Sequence, residues 1–437
     1  MKKIKVLVMD DSALFRRFIV EGLSNYDFID VVGYATDPID AQEKIPTLDP
    51  DVITSDVEMP HMDGITFVKK MMKESPRRII IVSAINISVF DAISAGAVDF
   101  VRKPVSTDND VSKQFITDLA DKILIASQAK LRMVSNVAEK KDAQLSAVKP
   151  AAQASQSQTT RPSAQAPQNP AREVSASQSQ GQTHRPAAAP AQSPDAARRP
   201  AAQPQSPASR PGQRPSTVNG KVAAAAQAAI ANAEKVLSGG LPKEVGDSKI
   251  SLIALGASTG GTEALLEVVK DMPADTPGIV IVQHMPPGFT KMYADRLNKI
   301  CNMRVREAQN GDKVERGLIL IAPGDLQMSV VKSMGEYSVR CVPGNKVSGH
   351  RPSVDVLFSS VAKVAAPDAV GAILTGMGAD GAKGLLEMRQ NGCYTIGQDE
   401  ATCVVYGMPM MAYNMGAVVK QAPLDRIAGL ILSHVSK

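Results

Sequence analysis

The chain has 437 residues, a net charge of +5, 4% aromatic residues and four cysteines, enough length for two or three domains each with its own core. No run of 18 or more apolar residues occurs, which excludes a membrane-spanning helix, and the apolar run of MKKIKVLVMDDS ends in two aspartates, unlike a signal peptide. Cys301, Cys341, Cys393 and Cys403 lie far apart with no CxxC spacing, so structural zinc is not expected and reduced thiols in the cytoplasm are.

Five strand-like runs come first: IKVLVM (4–9), IDVVGYA (29–35), DVITSD (51–56), RIIIVS (78–83) and DFVRK (99–103). Helical patterns near 14–23, 38–45, 64–74, 89–95 and 111–129 separate and follow them. This alternation predicts an α/β domain over 1–130, a doubly wound parallel sheet with helices on both faces. Ligands of such sheets sit at the carboxyl ends of the strands. Asp10 and Asp11 follow the first strand and Asp56 ends the third; Ser83 ends the fourth, and Lys103 with Pro104 ends the fifth. Clustered carboxylates suit a hard cation such as Mg²⁺, with waters completing its shell. Taken singly, each acid reads equally well as a loop residue or a helix cap.

Residues 131–240 are expected to form a linker, disordered from about 146 to 220, where Ala, Pro, Gln and Ser dominate and aromatic residues are absent. Between Ser146 and Lys221 nine Lys or Arg face two acids, a local balance of +7 that leaves −2 for the rest of the chain. The basic excess therefore belongs to a low-complexity segment, which argues against nucleic-acid binding by a folded surface. The alanine-rich stretch 221–237 reads either as a helix or as more linker.

Over 241–437 the α/β alternation resumes, with strand-like KISLIAL, GIVIVQ, LILIA, AVGAILT and CYTIG and helix-like 262–271, 289–300, 354–365 and 382–391. A mostly parallel, Rossmann-like sheet is expected, with some antiparallel character around 303–342. GASTG at 256–260 satisfies G-x-S-x-G, a short pattern that also serves plain turns and phosphate loops. A reactive serine needs a general base, usually histidine. Of five histidines, His61 lies in the first domain, His184 in the linker and His434 near the C-terminal end, leaving His284 and His350. Only His284 follows a strand as Ser258 does, and Asp380 lies just beyond another strand end. Ser258, His284 and Asp380 would then serve as nucleophile, base and orienting carboxylate, with backbone N–H groups of 259–261 or 376–378 stabilising an oxyanion. Pattern alone leaves the alternatives open: a turn serine, a loop histidine, a turn aspartate, and a His350–Arg351 pair that binds an anion.

DDS near the start, SDVEMPHMDG around Asp56, Ser83 and the KP at 103–104 resemble the receiver domain of bacterial response regulators, a flavodoxin-like fold. That resemblance implies that Asp56 accepts a phosphoryl group from a histidine kinase. It also implies that Asp11, Asp56 and the Glu58 carbonyl hold Mg²⁺ with help from Asp10, while Ser83 and Lys103 sense the phosphate. The stretches IALGASTGG, VQHMPPGFT, GDKVERG, GHRPSVDVLF, ILTGMGADGA and DEATCVVYGMPMMAYNMGAV resemble the catalytic domain of the chemotaxis protein-glutamate methylesterases. On that resemblance Ser258, His284 and Asp380 fall on the family's triad. It implies a cytoplasmic, phosphorylation-activated hydrolase that demethylates γ-glutamyl methyl esters of chemoreceptors and deamidates their glutamines. No cofactor is expected for the ester chemistry, nor any nucleic-acid partner or membrane insertion. Two other classes compete: a receiver-coupled DNA-binding regulator, disfavoured by the α/β output region, and a non-catalytic anion-binding module.

Overall fold

A computed structural model describes residues 2–84, 88–104, 106, 108–131 and 249–435. The expected linker beyond Leu131, the candidate helix at 221–237 and His184 lie outside the described residues. Among those residues no helix is long and apolar enough to cross a membrane.

The N-terminal part alternates β1 (Ile4–Met9), α1 (Ala13–Leu23), β2 (Ile29–Ala35), α2 (Pro38–Leu48), β3 (Val52–Ser55), α3 (Gly64–Glu74), β4 (Arg78–Ser83), α4 (Ser88–Ser94), β5 (Asp99–Arg102) and α5 (Asn109–Gln128). Its sheet runs β2-β1-β3-β4-β5 with every pairing parallel, the flavodoxin-like order. The central strands read as continuous apolar runs because helices cover both faces. Ser12, Asp37 and Asp63 each cap a helix by accepting a backbone N–H of its first turn. The helix expected to stop at 45, before Pro46, continues to Leu48 and closes on Asp49 in left-handed backbone, φ 45°. A proline near the last turn removes only one internal hydrogen bond, so the helix survives it.

The C-terminal part contains β6 (Leu252–Ala257), α6 (Gly261–Val269), β7 (Gly278–Gln283), α7 (Phe289–Ile300), β8 (Arg304–Glu307), β9 (Leu318–Ile321), β10 (Gln327–Ser333) and β11 (Glu336–Val342). It continues with α8 (Val354–Val364), β12 (Ala369–Ile373), α9 (Ala382–Gln390), β13 (Tyr394–Gln398), α10 (Met408–Asn414), β14 (Lys420–Ala422) and α11 (Leu424–Val435). Seven strands form one parallel sheet, β14-β13-β12-β6-β7-β9-β8. Among the described residues antiparallel strands pair in the β10–β11 hairpin, 327–342, with isolated antiparallel bridges Lys313–Ser338 and Val347–His350, whereas β8 and β9 join the parallel sheet. The strand order reverses at β6, flanked by β7 and β12, so the ligand crevice of this sheet lies at the ends of those three strands.

Both sheets belong to one compact unit. Aromatic side chains pack between them: Phe100 lies against Phe289 with ring centroids 4.6 Å apart, and Phe90 against Tyr293 at 5.6 Å. Arg296 of α7 donates to Ser94 Oγ at 2.5 Å and to Glu263 Oε1 at 3.1 Å, and Ser94 Oγ also reaches Glu263 at 3.0 Å.

Candidate active site

At the carboxyl edge of the first sheet, carboxylate oxygens of Asp10, Asp11 and Asp56 lie within 4.8 Å of one another. Asp10 and Asp56 are buried and Asp11 is exposed. Lys103 Nζ donates to Asp10 Oδ2 at 2.9 Å and to Asp56 Oδ2 at 2.5 Å. Burial pushes the Asp10 carboxyl above its ordinary range, and Lys103 only partly offsets this. Burial works against the Lys103 ammonium too, but the two carboxylates outweigh it and hold its pKa above the usual lysine value. Asp56 Oδ1 accepts the N–H groups of Val57 at 2.6 Å and Glu58 at 3.4 Å. Ser83 is buried at the end of β4, and its carbonyl accepts the Lys103 N–H at 2.8 Å. Three carboxylates open on one side suit a hard divalent cation.

At the second sheet, Ser258 and His284 are the residues that follow Ala257 and Gln283, which are register partners on β6 and β7. His284 N–H donates to Ala257 O at 3.2 Å, and Ser258 N–H to Thr375 O, just past β12, at 3.0 Å. The nucleophile candidate is therefore pinned between its two neighbouring strands. His284 Nε2 lies 2.8 Å from Asp380 Oδ2, with side-chain exposures of 7% and 1%. His284 Nδ1 is buried without a partner, and the Ser258 hydroxyl makes no hydrogen bond among the described residues. An ionised carboxylate only accepts, so Nε2 carries the proton and Nδ1 is the basic nitrogen.

Asp380 does more than hold the imidazole. Its Oδ1 accepts Ser353 Oγ at 2.7 Å and Asp355 N–H at 3.1 Å, and its Oδ2 accepts Val354 N–H at 2.8 Å. These donors are the cap and first turn of α8, where unsatisfied N–H groups and the helix dipole favour an anion. Burial would raise the Asp380 carboxyl, but the His284 contact and these donors outweigh it and leave the pKa below the usual carboxylate value.

Of the oxyanion donors expected from the sequence, two are already engaged: Gly261 N–H donates to Ser258 O at 2.7 Å and Gly376 N–H to Val405 O at 3.1 Å. Thr259, Gly260, Met377 and Gly378 N–H make no hydrogen bond among the described residues. Gly260 has φ +77°, which sets the turn after Ser258. A Cβ on Gly376 would come within 2.7 Å of Ser258 Cβ, so only glycine lets the 376–378 turn lie against the serine.

Three further side chains at this site lay outside the expected triad. Asp99 of β5 accepts Thr259 Oγ1, next to Ser258, at 2.5 Å and Lys122 Nζ at 2.6 Å; a carboxylate opening a short strand was its one signal. Ser353 was legible as a cap before the apolar run VDVLF. His350, weighed as the second candidate base and as an anion ligand, stacks on His284 with centroids 3.7 Å apart and planes 10° from parallel. Its neighbour Arg351 is spent on Asp325 and on Gly344 O, which leaves no support for an anion site there. A groove of about 540 Å³ is lined by Lys130, Met377, Gly378, Ala379, Tyr406 and Met410 among others; Ser258 and His284 do not line it.

Residues 253–431 match the family described as CheB methylesterase, and residues 6–113 match the response regulator receiver domain. The chain is 40% identical to a "Protein-glutamate methylesterase/protein-glutamine glutaminase 2" of Syntrophomonas wolfei, covering 100% of this chain and 99% of that protein. It is 36% identical to the "Protein-glutamate methylesterase/protein-glutamine glutaminase" of Escherichia coli O157:H7, over 100% and 98% respectively. It also resembles the crystal structure of the Thermotoga maritima CheB methylesterase catalytic domain, at 34% identity and a TM-score of 0.42, covering 42% of this chain and 98% of that one.

Proposed function

Because the chain belongs to the protein-glutamate methylesterase/protein-glutamine glutaminase family, we propose that Ser258, His284 and Asp380 carry out ester and amide hydrolysis on chemoreceptor glutamyl side chains. The buried His284–Asp380 pair at 2.8 Å, one register step from Ser258, carries this reading. His284 Nδ1 takes the Ser258 proton as Oγ bonds to the side-chain carbonyl carbon. The oxyanion forms beside the unengaged N–H groups of Thr259 and Gly260 or of Met377 and Gly378. Collapse breaks the bond to methoxide, or to the amide nitrogen of glutamine, and the imidazolium returns its proton to release methanol or ammonia. Water then attacks the acyl-serine, His284 again takes the proton, and the glutamate carboxylate leaves with Ser258 restored. Methanol release from methylated receptor, measured with and without a phosphodonor, tests the activity and its control together.

Control enters through Asp56. Its carboxylate oxygen bonds to phosphorus as the P–N bond of a kinase phosphohistidine breaks, so the single carboxylate charge gives way to roughly −1.5 to −2 on phosphoryl oxygens that Ser83 and Lys103 can engage. Asp10, Asp11 and Asp56, with the Glu58 carbonyl, would hold Mg²⁺, whose charge offsets that of the incoming phosphoryl oxygens. Chelating divalent cations is expected to prevent labelling of Asp56 by a small phosphodonor; full labelling in excess EDTA would rule the cation out.

Ser258 is only 8% exposed, and Asp99 of the receiver holds the neighbouring Thr259 hydroxyl. The receiver thus covers the nucleophile, and phosphorylation releases it. Losing a hydrogen bond to a charged acceptor shifts such a balance by about 10- to 100-fold. Asp99→Ala is expected to raise methanol release from the unphosphorylated chain by about that factor; an unchanged basal rate would contradict a covering role for this contact.

A further inference from the structure

His284 is fixed by a hydrogen bond at one nitrogen only. Asp380 holds Nε2 at 2.8 Å, while Nδ1, the nitrogen that must face Ser258, is buried without a partner. One hydrogen bond at a ring atom leaves the imidazole free to rock about that contact and carry Nδ1 out of line. The second constraint lies on the ring's face, where His350 stacks at 3.7 Å with planes 10° apart.

The backbone of His350 is itself pinned. Its N–H donates to Val347 O at 2.9 Å, and its carbonyl accepts Val347 N–H at 3.0 Å and Gln327 Nε2 at 3.2 Å. Its ring nitrogens form no hydrogen bond among the described residues, so the ring contributes its face. The same short segment, 350–355, also supplies the Ser353, Val354 and Asp355 donors that grip Asp380. One stretch of chain thus braces both partners of the pair.

We propose that His350 is a positioning residue for the esterase: its ring keeps the His284 imidazole in the plane set by Asp380, with Nδ1 turned to Ser258, and offers a neutral π face to the imidazolium formed when Ser258 loses its proton. This rests on the Ser258–His284–Asp380 reading. The electrostatics agree with it. Burial first, then the proximity of His284, pushes the His350 pKa down to about 4, with Lys122 and Lys346 adding to the effect and Asp380 opposing it. His350 therefore stays neutral when His284 takes a proton, and a cation over a neutral aromatic face is attracted.

The test compares His350→Phe, which keeps an aromatic face, with His350→Leu, which has comparable bulk and no π system. Both are made in the full chain, phosphorylated by a small phosphodonor and assayed for methanol release alongside Ser258→Ala. Aromatic stacking of this kind corresponds to about 3- to 10-fold in rate. His350→Leu is expected to lose about that factor in kcat with KM nearly unchanged, and His350→Phe to stay within about twofold of the parent. Equal loss in both variants would overturn the positioning role, as would a parental kcat in His350→Leu or a loss confined to KM. Should Ser258→Ala remain active, the triad reading fails and this inference with it. Should only Ser258→Ala be inactive while both His350 variants match the parent, this inference alone fails.

Discussion

Alanine at position 258 is expected to lower methanol release from methylated receptor by about 10⁶-fold, while phosphorylation of Asp56 proceeds as before. The effect is large because the substitution removes the atom to which the acyl group bonds, and no neighbouring hydroxyl can replace it. Thr259 is the nearest candidate in sequence, and its Oγ1 is committed to Asp99 at 2.5 Å. Among the described residues Ser258 hydrogen-bonds through its backbone alone, to Thr375 O, Gly261 N–H and the Gln283 side chain, so the fold has no need of its hydroxyl. Quantifying methanol and Asp56 labelling in the same preparation separates a chemical defect from an unfolded one. Activity near the parental rate with normal labelling would remove Ser258 from the mechanism.

Asn at position 380 should have nearly as large an effect, on two observables at once. The carboxylate accepts four hydrogen bonds, from His284, Ser353, Val354 and Asp355. An amide keeps one acceptor oxygen and points two N–H donors at groups that are donors already, and it cannot hold the imidazole in its Nε2–H tautomer. A drop in kcat of about 10⁴-fold is expected, as for the equivalent change in a serine triad. A loss of about 1–3 kcal/mol in stability should accompany it, because buried donors at the start of α8 lose their acceptor. The pKa of Asp380 is lowered in the folded chain, so its stabilisation is complete above the unfolded carboxyl value, about 3.9, and fades as pH falls through the folded value. The melting-temperature gap between parent and Asp380→Asn should therefore be constant from neutral pH down to about 5 and close in stronger acid. A gap that does not change with pH would show that the carboxylate is not what stabilises the turn.

Much of this was legible in the sequence, for a physical reason. Parallel strands covered on both faces read as nearly unbroken apolar runs, so IKVLVM, GIVIVQ and AVGAIL declare themselves, and the residues just beyond them fall on one edge. Asp10, Asp56 and Lys103 could be placed together on that argument, and so could Ser258, His284 and Asp380. The short strands β8 and β14 escaped, since three or four residues carry too little pattern. So did α10, which opens on Met-Pro, and α11. The stacking of His350 and the reach of Asp99 to Thr259 depend on contacts between segments 66 and 160 residues apart. Local pattern has no access to such distances. The choice of Nε2 for Asp380 is likewise set by where α8 begins, not by any spacing along the chain.

That choice of nitrogen limits reach. Nδ1 sits one bond closer to the backbone than Nε2, so a histidine using it as the base works on a short arm. Adjacent parallel strands stand about 4.8 Å apart, and the Ala257–Gln283 register places Ser258 and His284 at the same step along them. A longer arm would tolerate slippage between β6 and β7; this one does not. Inserting or deleting a single residue before either side chain would turn it to the opposite face of the sheet. The two strands are in effect a ruler, and the reaction is possible at one mark on it.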